Sequence, residues 1–360
     1  MELGIMGLPT SGKTTVFNAL TRSQRPTTAA STGRLELVSG VVDVPDPRVD
    51  RLSALYQPRK TTYAKVTYVD IAGLDQDFGK TGLSGELRNK IAPMDAFVLV
   101  IRAFEDERVP HVFESIDPQR DLDHLHGEFM LADMIAIETR IGRIEERLSK
   151  GAKGEERHAL EEDLALFRRL ESFLANGSPL RDVNLSDEER TRLRGYALLT
   201  LKPTLVLLNT GEEPVSAEEA LTYDHEDTQL LSLQGQLEME LSQLSSEDAE
   251  LFMEEFEIKE LALDRVIRAS YQLIGLHSFF TAAEEEVRAW NLPVGGTALD
   301  AAATIHTDLA RGFIRAEVVA YEDLIEAGSM AAARKAGHVH LEGKDYVVQD
   351  GDVIHIRFSI

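Results

Sequence analysis

The residues best suited to chemistry stand at the start of the chain. Gly7-Leu8-Pro9-Thr10-Ser11-Gly12-Lys13-Thr14 fits G-x-x-x-x-G-K-[ST], after the apolar run LGIM and ahead of the helical TTVFNALT. In that context the loop Gly7, Pro9, Thr10, Ser11 and Gly12 can close its backbone around phosphates, while the helix start at Thr14 and Thr15 points at them. Lys13 would reach the β and γ oxygens and offset charge developing during transfer; the Thr14 hydroxyl would ligate Mg²⁺. The bland alternative is a glycine-rich turn with an incidental lysine. Asp70-Ile71-Ala72-Gly73 follows the strand-like KVTYVD. There Asp70 can hold Mg²⁺ through water and the Gly73 amide can sense a γ-phosphate. Alone, D-x-x-G says little; in register after the first motif it gains weight.

A third stretch, Val206 to Glu213, reads VLLNTGEE. A guanine-specific loop would place Asn-Lys-x-Asp there; this chain offers Asn209, Thr210, Gly211 and Glu212. Guanine presents paired donors to a short Asp, whereas adenine lacks them on that edge and offers its 6-amino group. A longer Glu212 and a missing lysine therefore remove the guanine clamp, unless Glu212 is simply a loop acid beside Glu213. Gly79 to Gly85, GKTGLSG, reads as a mobile loop, either a switch or a plain connection.

These segments need a scaffold. MELGIMG, KVTYVDIAG, AFVLVIRAF and PTLVLLNT look like buried strands separated by helical patterns, which predicts an α/β fold with a parallel, doubly wound sheet. Ligands on such a sheet sit at the C-terminal ends of its strands. Met134, Ile137, Ile141, Ile144 and Leu148, then Leu160, Leu164, Phe167, Leu170 and Leu174 after KGAKGEE, predict an antiparallel helical hairpin. From about His277 a small α+β module is expected, with KDYVV and DVIHIRF forming a hairpin about Gln349-Asp350-Gly351.

Composition narrows the partners. The 360 residues allow two or three domains, and 43% hydrophobic with 28% charged residues is ordinary for a soluble globular protein. No apolar run reaches the roughly 20 residues of a membrane span, and no leader precedes the first strand, so a cytoplasmic protein without a membrane partner is expected. Absence of Cys excludes disulfides and thiolate chemistry. With 62 acidic residues against 38 Lys plus Arg, the net charge of −24 predicts no general nucleic-acid affinity. Arg140, Arg143, Arg147 and Lys150 fall on one helix face, either as a local RNA-contacting stripe or as a solvated face interleaved with Glu138, Glu145 and Glu146.

GVVDVPDPRVDRL, VDIAGL, NTGEE, LDRVIRASYQLIGL, FFTAAEEEVRAWNLPVGGTA, IHTDLARGFIRAEVVAYEDL and EGKDYVVQDGD together resemble the YchF/Obg-like ATPase family over essentially the whole chain. The resemblance implies a Ras-like P-loop NTPase domain (1–121 and 196–276) interrupted by a helical hairpin (122–195), then a C-terminal α+β TGS domain (277–360). It implies ATP in preference to GTP, with Asn209 and Glu212 setting the base, and association with ribosomes through the hairpin and TGS surface. By the same resemblance Leu74 replaces a water-orienting Gln, His111 in ERVPHVF takes the catalytic role, and Thr210 with Ser232 and Leu233 of the degenerate SLQGQ loop lies at the base. A neutral imidazole can orient or deprotonate water if closure brings it near the γ-phosphate, although a lone loop histidine is more often solvated.

Three departures limit the carry-over. Thr10 and Ser11 stand where relatives often have Asn-Val. The switch I text STGRLELVSGVV aligns Arg34 with the Mg²⁺-sensing Thr, leaving Thr32 as the nearest substitute. Thiol control is impossible without Cys. The function expected is a slow, Mg²⁺-dependent ATPase switch, acting as a monomer and associating with ribosomes. The alternatives are a GTPase of the same fold and a non-hydrolysing, nucleotide-gated adaptor.

Overall fold

The computed structural model describes the chain apart from residues 26–35, 73–82, 257, 259 and 360. Its residues divide into two compact units: 1–40 with 67–263, and 41–66 with 264–360. Residues 41–66, expected in the nucleotide-binding part, pack within the second unit.

The first unit is built on a sheet of order β2-β4-β1-β5-β6-β7, from β1 (Glu2–Met6), β2 (Glu36–Asp43), β4 (Lys65–Ala72), β5 (Ala96–Ala103), β6 (Thr204–Thr210) and β7 (Thr228–Leu233). β1 runs parallel to β4 and β5, β5 to β6, and β6 to β7. Helices cover such a sheet on both faces, which is why AFVLVIRA and TLVLLNT are near-continuous apolar runs, buried along almost their whole length. The helices of this part are α1 (Lys13–Thr21), α3 (Gly85–Ile91), α4 (Pro118–Ser149), α5 (Gly154–Ala175), α6 (Asp187–Leu193), α7 (Ala217–Ala220), α8 (Gly235–Ser242), α9 (Ser246–Glu255) and the start of α10 (Ala262–Leu273).

α4 and α5 form the expected hairpin. Ile137, Ile141 and Ile144 meet Leu166, Phe167, Leu170 and Leu174 in a separate core. α4 starts on Asp117, whose side chain accepts from the Arg120 amide, with Pro118 in the first turn. The chain's return is fastened by buried Asp133, which accepts from the Leu199 and Thr200 amides, each at 2.8 Å, and from the Thr200 hydroxyl at 2.7 Å. Three of the four stripe cations pair with acids of the hairpin: Arg140 with Asp163, Arg147 with Glu156 and Lys150 with Glu146. That pairing belongs to a solvated, self-neutralised face.

The second unit is α+β. Its sheet runs β11-β10-β12-β8-β9-β3, from β3 (Lys60–Thr62), β8 (Leu276–Ala282), β9 (Glu286–Pro293), β10 (Phe313–Ala320), β11 (His340–Glu342) and β12 (Asp352–Phe358). Its helices are α2 (Pro47–Tyr56), α11 (Ala298–Ile305), α12 (Thr307–Arg311), α13 (Tyr321–Ala327) and α14 (Met330–Ala336). Ala298, Ala301 and Ala302 bring α11 close against Phe279, Ala316 and Ile354. Residues 41–66 belong here because β3 pairs in parallel with β9 and Arg48 bonds Asp350 at 2.8 Å.

The expected hairpin about Gln349-Asp350-Gly351 does not form. β12 pairs antiparallel with β10 and parallel with β8, and KDYVV contributes one isolated bridge, Thr297 with Val347. The Asp352 carboxylate accepts from the Tyr346 hydroxyl at 2.8 Å and the Gln349 amide at 2.9 Å, closing a side-chain-bonded turn in place of a ladder.

Candidate functional site

The candidate site lies in the first unit, at the C-terminal ends of its parallel strands. β1 leads into Gly7, where an added Cβ would lie 2.4 Å from the Val100 carbonyl oxygen and 2.7 Å from Ser11 Oγ. Gly12 has φ 91° and an added Cβ there would lie 2.2 Å from Asn209 Nδ2. Both positions require glycine, the second for conformation as well as space.

α1 begins on Gly12 without a side-chain cap and without an acid in its first turn. By contrast α2, α3 and α4 start on Asp46, Ser84 and Asp117, each accepting from a first-turn amide. The uncapped amides and the positive end of the helix dipole are free to receive an anion. Pro9 and Thr15 lie on either side of this cradle, partly exposed, and the Ser11 hydroxyl is buried without a partner among the described residues.

Lys13 folds back so that Nζ donates to the Leu8 carbonyl at 2.7 Å. Burial lowers its ammonium to a pKa of about 8, opposed by the charge of Asp70. The Thr14 hydroxyl donates to Asp70 Oδ2 at 3.2 Å. Burial pushes the Asp70 carboxyl up, against the pull of Arg25 and Lys13. The second oxygen of Asp70 is buried with no partner among the described residues. These two side chains fit a Mg²⁺ ion that arrives with phosphate oxygens and water: among the described residues no cluster of three or more His, Asp or Glu forms a metal cage. Thr32, Arg34, Gly73 and Leu74, and most of GKTGLSG, lie outside the described residues; the end of that loop caps α3 through Ser84.

Asn209 is a brace. Its amide donates to the Ser11 carbonyl at 3.0 Å and its oxygen accepts the Gly235 amide at 3.0 Å. Gln234 holds the loop beyond from the other side, donating to the Gly211 carbonyl at 2.9 Å and the Glu212 carbonyl at 2.7 Å. SLQGQ thus closes on the loop Asn209 to Glu212. Thr210 is buried and its hydroxyl donates to the Leu233 carbonyl, which places both in the β6–β7 pair; the Ser232 hydroxyl is buried without a partner among the described residues. The Glu212 side chain is exposed.

His111 is not solvated. Its Nε2 donates to Asp121 Oδ2 at 2.7 Å and its Nδ1 accepts from the Phe113 amide at 3.1 Å, so both ring nitrogens are engaged. Asp121 in turn accepts from Arg120 at 2.8 Å. Sequence reasoning missed Asp121 and Arg102. The buried Arg102 guanidinium donates to Thr10 Oγ1 at 3.1 Å, the Val109 carbonyl at 2.8 Å and the Phe104 carbonyl at 3.0 Å. It therefore ties the phosphate loop to the segment carrying His111. An arginine ending an otherwise apolar strand was the available signal.

A phosphate cradle at the C-terminal edge of a parallel sheet, with an acidic strand end beside its lysine, defines a P-loop nucleotide-binding protein. Residues 2–140 match the MMR_HSR1 family, described as "50S ribosome-binding GTPase", and residues 276–359 match YchF-GTPase_C, described as "Protein of unknown function (DUF933)". The chain belongs to the YchF family. It is 40% identical to the "Ribosome-binding ATPase YchF" of Bacillus subtilis, over 100% of both chains. It is likewise 40% identical to the protein of that name from Haemophilus influenzae, over 100% of this chain and 99% of that one. The solved structure of the Schizosaccharomyces pombe YchF GTPase is similar with a TM-score of 0.86 at 29% identity, covering 99% of this chain and 97% of that one.

Proposed function

We propose that this protein is a slow, Mg²⁺-dependent ATP-hydrolysing switch that works on the ribosome, in the cytoplasm and as a monomer. The observation that carries the reading is the uncapped α1 start beside Lys13, Thr14 and Asp70. Lys13 leaves the Leu8 carbonyl for the phosphates, and the amides from Gly12 onward receive them. Thr14 and Asp70, with Thr32 as the nearest switch I candidate, hold Mg²⁺, which when bound draws charge from the phosphate oxygens. Gly73 senses the γ-phosphate. The absence of Gln at Leu74 makes turnover slow, and His111 orients water after release from Asp121.

Asn209 gives one N–H to Ser11 and one lone pair to Gly235 and keeps the others for the base, which it sets together with Glu212; with Thr210 in place of lysine and Glu212 in place of Asp, the guanine clamp is missing. The bacterial relatives' name, ribosome-binding ATPase, supports the ATP and ribosome readings. GTP is the second reading, favoured by the description of the Schizosaccharomyces pombe relative as a GTPase. Residues 1–40 and 67–121 with 196–263 serve as the nucleotide-binding part and 122–195 as the hairpin, while 277–360 serve as a TGS domain in the unit that also takes 41–66. No helix among the described residues is long and apolar enough to cross a membrane.

Parallel calorimetric titrations with Mg·ATP and Mg·GTP test the base, repeated on Thr210→Lys with Glu212→Asp. Tighter ATP binding, reversed in the double variant, is the expected result; tighter GTP binding by the unaltered protein would refute it. Cosedimentation with ribosomes in each nucleotide state tests the partner.

A further inference from the structure

Arg25 belongs to none of the phosphate-binding motifs, yet its guanidinium touches the centre of the site. Nη1 lies 2.6 Å from Asp70 Oδ2, the same oxygen that accepts the Thr14 hydroxyl. The Asp70 side chain is wholly buried, while Arg25 is about a quarter exposed. The position is built. Asn18, itself buried in α1, donates to the Arg25 carbonyl at 2.8 Å and accepts the Arg25 amide at 3.2 Å, which fixes the backbone under the side chain. The guanidinium also lies 3.8 Å from Glu36 at the start of β2.

We propose that Arg25 is a built-in competitor of the divalent cation, making ion binding at Asp70 conditional on nucleotide. The inference rests on the Mg²⁺-nucleotide reading above. A carboxylate that carries a guanidinium has its charge neutralised, and a divalent ion brought beside that guanidinium meets a like charge across a low-dielectric gap. Free Mg²⁺ therefore gains little at Asp70. A nucleotide adds several negative charges at the same place. With them the ion outcompetes the single positive charge, and the guanidinium, tethered through its backbone to Asn18, passes to Glu36, its second carboxylate neighbour. Lys13 does not substitute for it: its Nζ is on the Leu8 carbonyl and meets phosphate when nucleotide binds.

The test uses the full chain and Mn²⁺ alone, counted by electron paramagnetic resonance, with fluorescent ATP binding followed in parallel in the presence and absence of metal. Arg25→Gln should bind Mn²⁺ without nucleotide at least about tenfold more tightly than the unaltered protein, and Arg25→Lys should stay close to it. Glu36→Gln keeps Arg25 and its bond to Asp70 but removes its second seat; it should raise the Mn²⁺ concentration needed for tight ATP binding by about threefold. Equal Mn²⁺ binding by Arg25→Gln and the unaltered protein, with ATP binding intact in both, would overturn the competitor role. Failure of the unaltered protein to bind the nucleotide at all would overturn the site reading, and this inference with it.

Discussion

His111 and Asp121 are locked together at 2.7 Å, both buried, and the other imidazole nitrogen receives the Phe113 amide. In this arrangement the ring has no free lone pair with which to take a proton from water. If release of His111 limits hydrolysis, Asp121→Ala raises the single-turnover rate several-fold while lowering stability by about 1–3 kcal/mol through the lost buried bond. His111→Ala lowers the rate about a hundredfold. Unchanged rates in both variants would remove His111 from the mechanism.

Asn209 couples the phosphate loop to the loop after β7 through two bonds of 3.0 Å. Asn209→Ala leaves a buried carbonyl and a buried amide unpaired, an expected loss of about 2 kcal/mol in chemical denaturation. Because the carboxamide braces the loop, ATP and GTP affinities should fall together, by about tenfold or more. A loss confined to one nucleotide would show that Asn209 reads the base and does not brace the loop.

Lys13 gives the site a pH signature. Its pKa is about 8 in the free protein, and bound phosphate favours the ammonium. Above that pH, binding must take up a proton. Nucleotide affinity should therefore hold below about pH 8 and fall as pH rises, by up to about tenfold per unit. Fluorescent nucleotide titrations from neutral to alkaline pH check this, and Lys13→Ala should show a weak, flat profile.

A second pH effect concerns stability. His126 on α4 stacks on His225 at 5.3 Å and bonds Tyr223 at 2.8 Å, with Arg181 close by. Burial foremost, then Arg181 and His225, lower its pKa from 6.5 to about 4. The unfolded chain takes up a proton below 6.5 that the folded chain refuses until about 4. Stability should thus be retained above pH 6.5 and lost as pH falls through that window, by about 2 kcal/mol after allowance for partial exposure. Denaturant melts of His126→Gln should lack this component; an identical pH profile would place it elsewhere.

What the sequence made legible was local. The phosphate loop is eight consecutive residues, and the stripes of the hairpin repeat within single helices, so spacing alone located them. Arg25 and Asp70 stand 45 residues apart, and Asn209 is 198 from Ser11; no periodicity joins such pairs. The same limit explains the C-terminal misreading. KDYVV alternates like a strand, but its backbone bonds to the start of α11 and the turn before it, the Val348 amide to the Gly296 carbonyl and the Tyr346 carbonyl to the Ala298 amide, and β12 finds its partners in β10 and β8. His111 was found by resemblance, while its burial depends on Asp121 at the start of the next helix.

The brace through Asn209 also bears on how the protein is made. Ser11 is synthesised well ahead of the side chain that holds its carbonyl, which arrives 198 residues later, after the whole hairpin has been made. The second anchor, Gly235, comes 26 residues after that. Such long loop closures delay assembly. A chain still being translated can form β1 and α1 early, yet it has no finished phosphate cradle until its seventh strand and the turn beyond it are free, so triphosphate binding marks a nearly complete first unit.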